Sequence, residues 1–138
     1  MNLAYKSTFM IGIRIGVIIL SILFLIIPNE DIIFTYLQYV MIAYGIYNLI
    51  KLVVLIIQPK VLITQDEYNI VIWGINKSTK INMNDIDRIE AKQSSTRGVS
   101  HKFGNIIIKL HDNRVIKVNN VDDVLETKAN IEQLIKSS

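Results

Sequence analysis

Two long apolar runs open the chain and distinguish it from the remainder. Residues 9–27 and 32–57 are almost wholly apolar, and the short polar segment Pro28-Asn29-Glu30-Asp31 separates them. A bilayer core about 30 Å thick is crossed by about 20 apolar residues in a helix. The pattern therefore predicts a membrane-embedded helical hairpin over residues 1–58, followed by a water-soluble domain over residues 59–138.

Basic residues lie at one end of this hairpin and predict its orientation. Lys6 and Arg14 lie near the start of the first run, and Lys51 and Lys60 lie near the end of the second. Cytoplasmic flanks of membrane helices are enriched in Lys and Arg. We therefore predict a multi-pass protein of the cell membrane with both termini in the cytoplasm. The first run is too long for a cleaved signal peptide and is followed at once by a second.

Polar residues inside the runs form a candidate intramembrane cluster. Arg14 must belong to the first helix, because the apolar residues after it are too few to span a bilayer. Tyr44, Asn48 and Lys51 share one face of the second helix by their spacing. Polar groups at this depth usually face a partner or a wet cavity. The alternative is that the two cations only anchor the inner end of the hairpin.

A pair of glycines in the first run is a candidate helix-packing motif. Gly12 and Gly16 have the small-x-x-x-small spacing that lets helix backbones approach closely. Their partner would be the second helix near Ala43 or Gly45, or another chain.

Short alternating segments after Gln58 predict a β-rich domain. The predicted strands are residues 61–64, 68–75, 80–82, 88–93, 103–110 and 114–118. Ser94 to Lys102 lacks hydrophobic periodicity and predicts a flexible loop. Residues 121–135 change to helical periodicity, with Asn120 as the expected N-cap. Six or seven antiparallel strands closed by one amphipathic helix are expected.

Several segments of this domain together resemble the bacterial pleckstrin-homology-like (PH-like, bPH) domain. The segments are Leu62-Ile63-Thr64-x-x-x-Tyr68-x-Ile70, Ile81-x-x-x-Asp85-Ile86-x-x-Ile89-Glu90, Phe103-Gly104-Asn105-Ile106-Ile107-Ile108 and the helix over 121–135. The preceding hairpin is similar to that of small two-span proteins that carry this domain. The resemblance covers nearly the whole chain.

The resemblance implies both a fold and a class of function. The fold would be a bent, partly open antiparallel barrel of about seven strands, closed by the C-terminal helix. Proteins of this type and size are non-enzymatic, and some are linked to bacteriocin self-immunity or to envelope stress. The chain is therefore expected to protect a membrane against a membrane-active bacteriocin peptide, alone, by self-association or with a transporter. The alternative is a membrane-tethered adaptor whose PH-like domain binds a protein partner or anionic lipid headgroups.

The distribution of charge favours a membrane surface as the partner. The chain carries a net charge of +3, but residues 88–117 hold seven basic residues against two acids. Anionic lipids attract such patches by roughly 1 kcal/mol per Lys or Arg. Lys92, Arg97 and Lys102 are the candidate contacts to lipid or partner. The alternative is that these are solvated strand faces and loops.

Composition and motifs argue against catalysis, cofactors and nucleic acid. The chain has no cysteine, which excludes disulfides and thiolate chemistry, and its two histidines have no clustered partners for a metal. No nucleophile elbow, phosphate-binding loop or zinc-protease motif is present. The basic region lacks the interleaved aromatic residues that are typical of nucleic-acid binding.

Overall fold

The computed structural model describes residues 1–137, with the backbone alone at Thr96. The chain forms two compact units. One is the helical pair, Thr8–Ile57. The other, which we call the β unit, combines Met1–Ser7 with the chain from Gln58 onwards.

The helical pair consists of α1 (Thr8–Ile26) and α2 (Ile32–Ile57), of 19 and 26 residues. The predicted turn separates them, and Asp31 caps α2 by accepting a hydrogen bond from the Ile33 amide at 3.0 Å. Near the turn, the rings of Phe24 and Phe34 stack with centroids 4.9 Å apart. The two predicted helices are therefore confirmed.

Both helices are long and apolar enough to cross a membrane. Only 6% of the most apolar window of α1 and 11% of that of α2 is buried. The core helix of a soluble protein would be mostly covered. Contiguous exposed apolar surface of this extent is typical of contact with lipid or with a partner.

The β unit contains seven antiparallel strands in two sheets. One sheet has the order β1-β2-β3-β4 and the other has the order β5-β6-β7. The bounds are β1 Asn2–Tyr5, β2 Val61–Asp66, β3 Asn69–Trp73, β4 Ser78–Asn82, β5 Ile86–Thr96, β6 Val99–Leu110 and β7 Val115–Val121. Helix α3 (Val124–Ser137) follows β7 and closes the core.

Strand β1 was not predicted, and it changes the boundary between the two units. It pairs with β2, which follows the helical pair in the sequence, and Tyr5 lies opposite Val61. Leu3 and Ala4 are 5% and 1% exposed in the shared core. The first seven residues therefore belong to the β unit rather than to the hairpin. The helical pair is an insertion between two neighbouring strands.

The strands do not form a closed barrel. Two sheets of four and three strands replace the expected barrel, although the seven strands and the closing helix agree with it. Beyond the named strands, an isolated bridge joins Lys6 to Val121, so the sheets meet where β1 and β7 end. Buried residues of both sheets and of α3, among them Leu62, Ile106 and Ile131, fill the space between the layers.

Two local expectations were wrong. The segment from Ser94 to Lys102 is a β-hairpin, in which Arg97 and Gly98 form a two-residue turn with φ of 51° and 80°. Asn120 does not cap α3, because β7 continues to Val121. Asp123 caps it instead, and its carboxylate accepts a hydrogen bond from the Glu126 amide at 3.2 Å.

Candidate functional site

A side-chain hydrogen bond joins the two helices of the helical pair. The Arg14 guanidinium donates from Nη1 to the Asn48 amide oxygen at 2.6 Å. Asn48 is fully buried, and its amide nitrogen donates to the Tyr44 carbonyl oxygen at 2.8 Å. Asn48 therefore couples a cation on α1 to the backbone of α2. Arg14 Nε is buried without a hydrogen-bond partner among the described residues.

The other two members of the predicted cluster lie differently. Tyr44 contributes its backbone carbonyl rather than its phenol, and its side chain is 49% exposed. The Lys51 ammonium lies 5.6 Å from the centroid of the Tyr47 ring, a cation–π distance. The structure thus brings together Arg14 and Asn48, with Lys51 held separately one turn further along α2.

Close approach of the two helices occurs at Ser21 and Gly45. A Cβ at Gly45 would lie 3.1 Å from the Ser21 Cβ. A Cβ at Gly12 or Gly16 would meet nothing within 4 Å. Within this chain, Ser21 and Gly45 make the close contact between the helices instead of Gly12 and Gly16. Contact of the glycine pair with another chain stays a prediction.

Replacing Asn48 by leucine is expected to destabilise the helical pair by about 1–2 kcal/mol, because the Arg14 charge loses its acceptor. Separation of the helices in mixed detergent and SDS can be followed by energy transfer between dyes on cysteines introduced at Thr8 and Ile57. Tyr44→Phe is the matched control, since it keeps the carbonyl and should behave as the wild type. Equal stability of the Asn48→Leu variant would show that the contact contributes nothing.

One end of the β unit, which we call the junction end, leads to both helices. It is the end at which the chain leaves β1 and re-enters at β2. Here the Lys6 amide donates to the Lys60 carbonyl and the Ser7 amide donates to the Asn120 carbonyl, both at 2.9 Å. The Lys6 ammonium also donates to the Gln58 carbonyl at 2.7 Å. Both connecting segments are therefore fixed within the β unit.

The second candidate site is the hairpin formed by β5 and β6, which extends away from the junction end. Ser7 contacts Asn120 and Tyr5 contacts Asp122, so β7 runs away from the junction end as it reaches Val121. Gly104 of β6 pairs with Val121, and Val121 in turn pairs with Lys6. Beyond Gly104, β6 continues back to Val99 with pairing to β5 alone, which adds about 16 Å of strand. We call residues 92–102 the basic hairpin. It carries Lys92, Arg97 and Lys102, the three cations predicted as contacts, and all three are exposed.

These three cations make no ion pair with any described residue. Several other cations on the sheets are paired, as in Lys80–Asp66 at 2.7 Å and Lys109–Glu90 at 2.9 Å, although Lys117 of β7 forms no ion pair with a described residue. The hydrogen bond from Lys109 lowers the pKa of the Glu90 carboxyl, and the hydrogen bond to Asp66 raises the pKa of the Lys80 ammonium. The basic hairpin therefore carries three positive charges in one short segment that no described acid neutralises.

The basic hairpin itself contains no acidic residue, and no acid occurs between Ala91 and His111. Asp122 and Asp123, which directly precede α3, are the acids next to the end of β7. Within residues 1–137, no group of His, Cys, Asp and Glu has the arrangement of a metal site. The basic hairpin therefore presents a cationic surface that makes no ion pair with the described residues.

The class of protein that the fold defines is a helical pair, apolar enough to cross a membrane, inserted into a two-sheet antiparallel β unit that a helix closes. The sequence matches no protein-family model and no curated protein, and the structure matches no solved structure. Functional inference therefore depends on the geometry of the two candidate sites.

Proposed function

We propose that this chain is a membrane-anchored, non-catalytic protein whose β unit is PH-like and whose basic hairpin binds anionic lipid headgroups. The two apolar helices would be the multi-pass anchor, with both termini on the cytoplasmic side of the cell membrane. The position of Lys6, Lys51 and Lys60 at one end of the helices, opposite Glu30 and Asp31, supports this orientation. The seven strands and the closing helix support the PH-like assignment.

The observation that carries the proposal is the unpaired charge of the basic hairpin. Its three exposed cations lie on one hairpin about 16 Å long, and no described acid pairs with them. Anionic headgroups attract a positive surface of this kind. At roughly 1 kcal/mol for each cation near an anionic surface, their combined attraction is about 3 kcal/mol.

Protection against a cationic membrane-active peptide would follow from the same contact. Such peptides bind through basic residues to the anionic lipids that the basic hairpin would occupy. A surface protein that sequesters or reorganises these lipids lowers the local density of peptide binding sites. Bacteriocin immunity is therefore our proposed biological role. The alternative is that the same cations bind a protein partner, and the tests below distinguish the two functions.

Charge reversal of the basic hairpin is expected to abolish its preference for anionic membranes. The chain has no native cysteine, so Ser100→Cys gives a single site for an environment-sensitive dye. In nanodiscs, we expect a blue shift of the dye with anionic lipid that is weakened by salt and absent in zwitterionic lipid. Lys92→Glu, Arg97→Glu and Lys102→Glu together should remove the shift.

A variant with the same net charge is the control for this experiment. Lys80→Glu, Lys117→Glu and Lys136→Glu change the total charge equally but leave the basic hairpin intact, so the shift should persist. An unchanged shift after reversal of the basic hairpin would contradict lipid binding at this site. A dye that responds only to added protein, not to lipid, would favour the adaptor function.

The biological role requires a separate measurement in cells. A susceptible bacterial strain expressing the chain should tolerate a higher concentration of one class of membrane-active peptide, with unchanged sensitivity to an unrelated antibiotic. The variant with the reversed basic hairpin should lose this protection, and the charge-matched control should retain it. Equal sensitivity with and without the chain, across peptide classes, would count against immunity.

A further inference from the structure

The hairpin tip between β3 and β4 lies at the junction end and combines exposed apolar side chains with a cation. Strand β3 ends at Trp73, which pairs with Ser78 of β4. Since Ile72 lies opposite Ile63, the chain beyond Trp73 emerges beside the start of β2. The connection between β3 and β4 therefore lies at the same end of the β unit as the two segments that lead to the helices.

This tip exposes side chains that a soluble surface rarely presents together. Trp73 is 43% exposed and Ile75 is 47% exposed, and Lys77 follows on the same connection. No acid lies between Glu67 and Asp85. Tryptophan is enriched where membranes meet water, because its ring is apolar while its N–H remains polar.

Local hydrogen bonds hold the tip in a defined shape. The Gly74 amide donates to the Lys77 carbonyl at 2.8 Å, which closes the turn. The Trp73 indole N–H donates to the Thr64 hydroxyl at 3.0 Å, which fixes the ring against β2. The apolar groups are thus presented on a preformed turn rather than on a segment that must be ordered on binding, which lowers the entropic cost of a contact.

The same combination occurs on the basic hairpin. Val99 is 62% exposed and follows the Arg97-Gly98 turn, with Lys102 nearby. Two separate hairpin tips of the β unit therefore each present an exposed aliphatic residue beside unpaired cations. Headgroup layers favour this chemistry, because the cation meets phosphate while the apolar side chain reaches the first acyl carbons.

We propose that the tip formed by Trp73, Ile75 and Lys77 is a second membrane-contact site, which inserts into the headgroup layer of the bilayer that holds the helices. The proposal deepens the proposed function and depends on it for the membrane location.

Trp73 is the only tryptophan of the chain, so its emission reports on this tip alone. In nanodiscs containing the full chain, lipids brominated near the glycerol end of the acyl chain should remove about half of the emission, because a ring at headgroup level contacts the brominated carbons. Aqueous iodide should quench weakly. The proposal would be overturned if bromolipid left the Trp73 emission unchanged and iodide quenched it fully.

A tryptophan at the opposite end of the β unit is the matched control. Tyr68 lies in the turn between β2 and β3 and is 71% exposed. In the double variant Trp73→Phe and Tyr68→Trp, the emission should respond to iodide and not to bromolipid. Equal quenching by bromolipid in this control would also overturn the proposal, because proximity would then not be specific to the tip.

The two proposals fail in distinguishable ways. The Ser100→Cys dye reports lipid contact of the basic hairpin, and Trp73 reports the second tip. Loss of the Trp73 response alone rejects the second contact and leaves the proposed function standing. Ile75→Ser should weaken quenching of Trp73 by bromolipid while the dye shift persists. If it has no effect on the quenching, the aliphatic side chain does not insert and the proposal is rejected.

Discussion

Replacing Leu3 by alanine is expected to lower the free energy of unfolding of the β unit by about 3 kcal/mol. Leu3 belongs to strand β1 and is 5% exposed in the core that both sheets and α3 share. Truncation of the Leu3 side chain leaves a cavity between the layers. Because β1 is paired with β2, the backbone cannot move in to fill this cavity. Urea unfolding of the full chain in detergent micelles, followed by Trp73 emission, measures the effect.

Leu125→Ala is the control for this substitution. Leu125 lies on α3 and is 53% exposed, so the same chemical change should alter stability by less than about 0.5 kcal/mol. A loss at Leu3 no larger than the loss at Leu125 would mean that β1 is not part of the folded core. The soluble domain would then begin at Pro59, as the sequence pattern alone predicts.

The position of β1 has a consequence for assembly. Its partner β2 lies beyond both apolar helices, so the pairing of Tyr5 with Val61 cannot form until residues 6–60 have been synthesised. Contacts between residues far apart in sequence carry a larger loop-closure cost and form later. If the helices span a membrane, their antiparallel arrangement brings the two strand segments to the same side and reduces that cost. The sheet would therefore be completed after the helical pair.

The hydrophobic pattern predicted the elements that bury a face. The helices are identified by uninterrupted apolar runs, and strands such as β6 by the alternation of Ile106 and Ile108 with outward residues. Strand β1 escaped prediction because it has only four residues, and asparagine and alanine are poor strand formers. Its stability comes from a partner beyond the helices, which no local pattern reveals.

The basic hairpin escaped prediction for a different reason. Its strands extend beyond the core, so polar residues such as Ser95 and Ser100 face each other and no apolar period marks them. The turn uses Arg97-Gly98 instead of the common Asn-Gly signal. The cations themselves were visible in the sequence. Their lack of ion pairs depends on strand pairing and became visible only in the structure.

The contact between Arg14 and Asn48 was partly predictable. The depth of Arg14 in the first run and the helical spacing of Asn48 placed both at a similar level. The sequence could not decide which of the three polar side chains on α2 would meet Arg14. The rotation of the helices about their axes decides this, and that rotation is fixed by close approach at Ser21 and Gly45.

Replacing Gly104 by alanine is expected to destabilise the β unit by about 3 kcal/mol, at the upper end of the usual cost of overpacking. A Cβ at this position would collide with the Lys92 carbonyl oxygen, and its next neighbour is the Gln93 Cα at 3.0 Å. Both contacts are with backbone, which cannot turn away as a flexible side chain can. The strands β5 and β6 would have to separate at the base of the basic hairpin.

Gly98→Ala separates this steric effect from a conformational one. Gly98 has a φ of 80° but open space around it, so alanine there should cost only about 1 kcal/mol and leave the strand pairing intact. Hydrogen exchange of the β5 and β6 amides measures the difference. We expect faster exchange on both sides of residue 104 in the Gly104→Ala variant alone, together with loss of the Ser100 dye shift. Equal protection in the two variants would show that the close approach at Gly104 does not hold the basic hairpin in place.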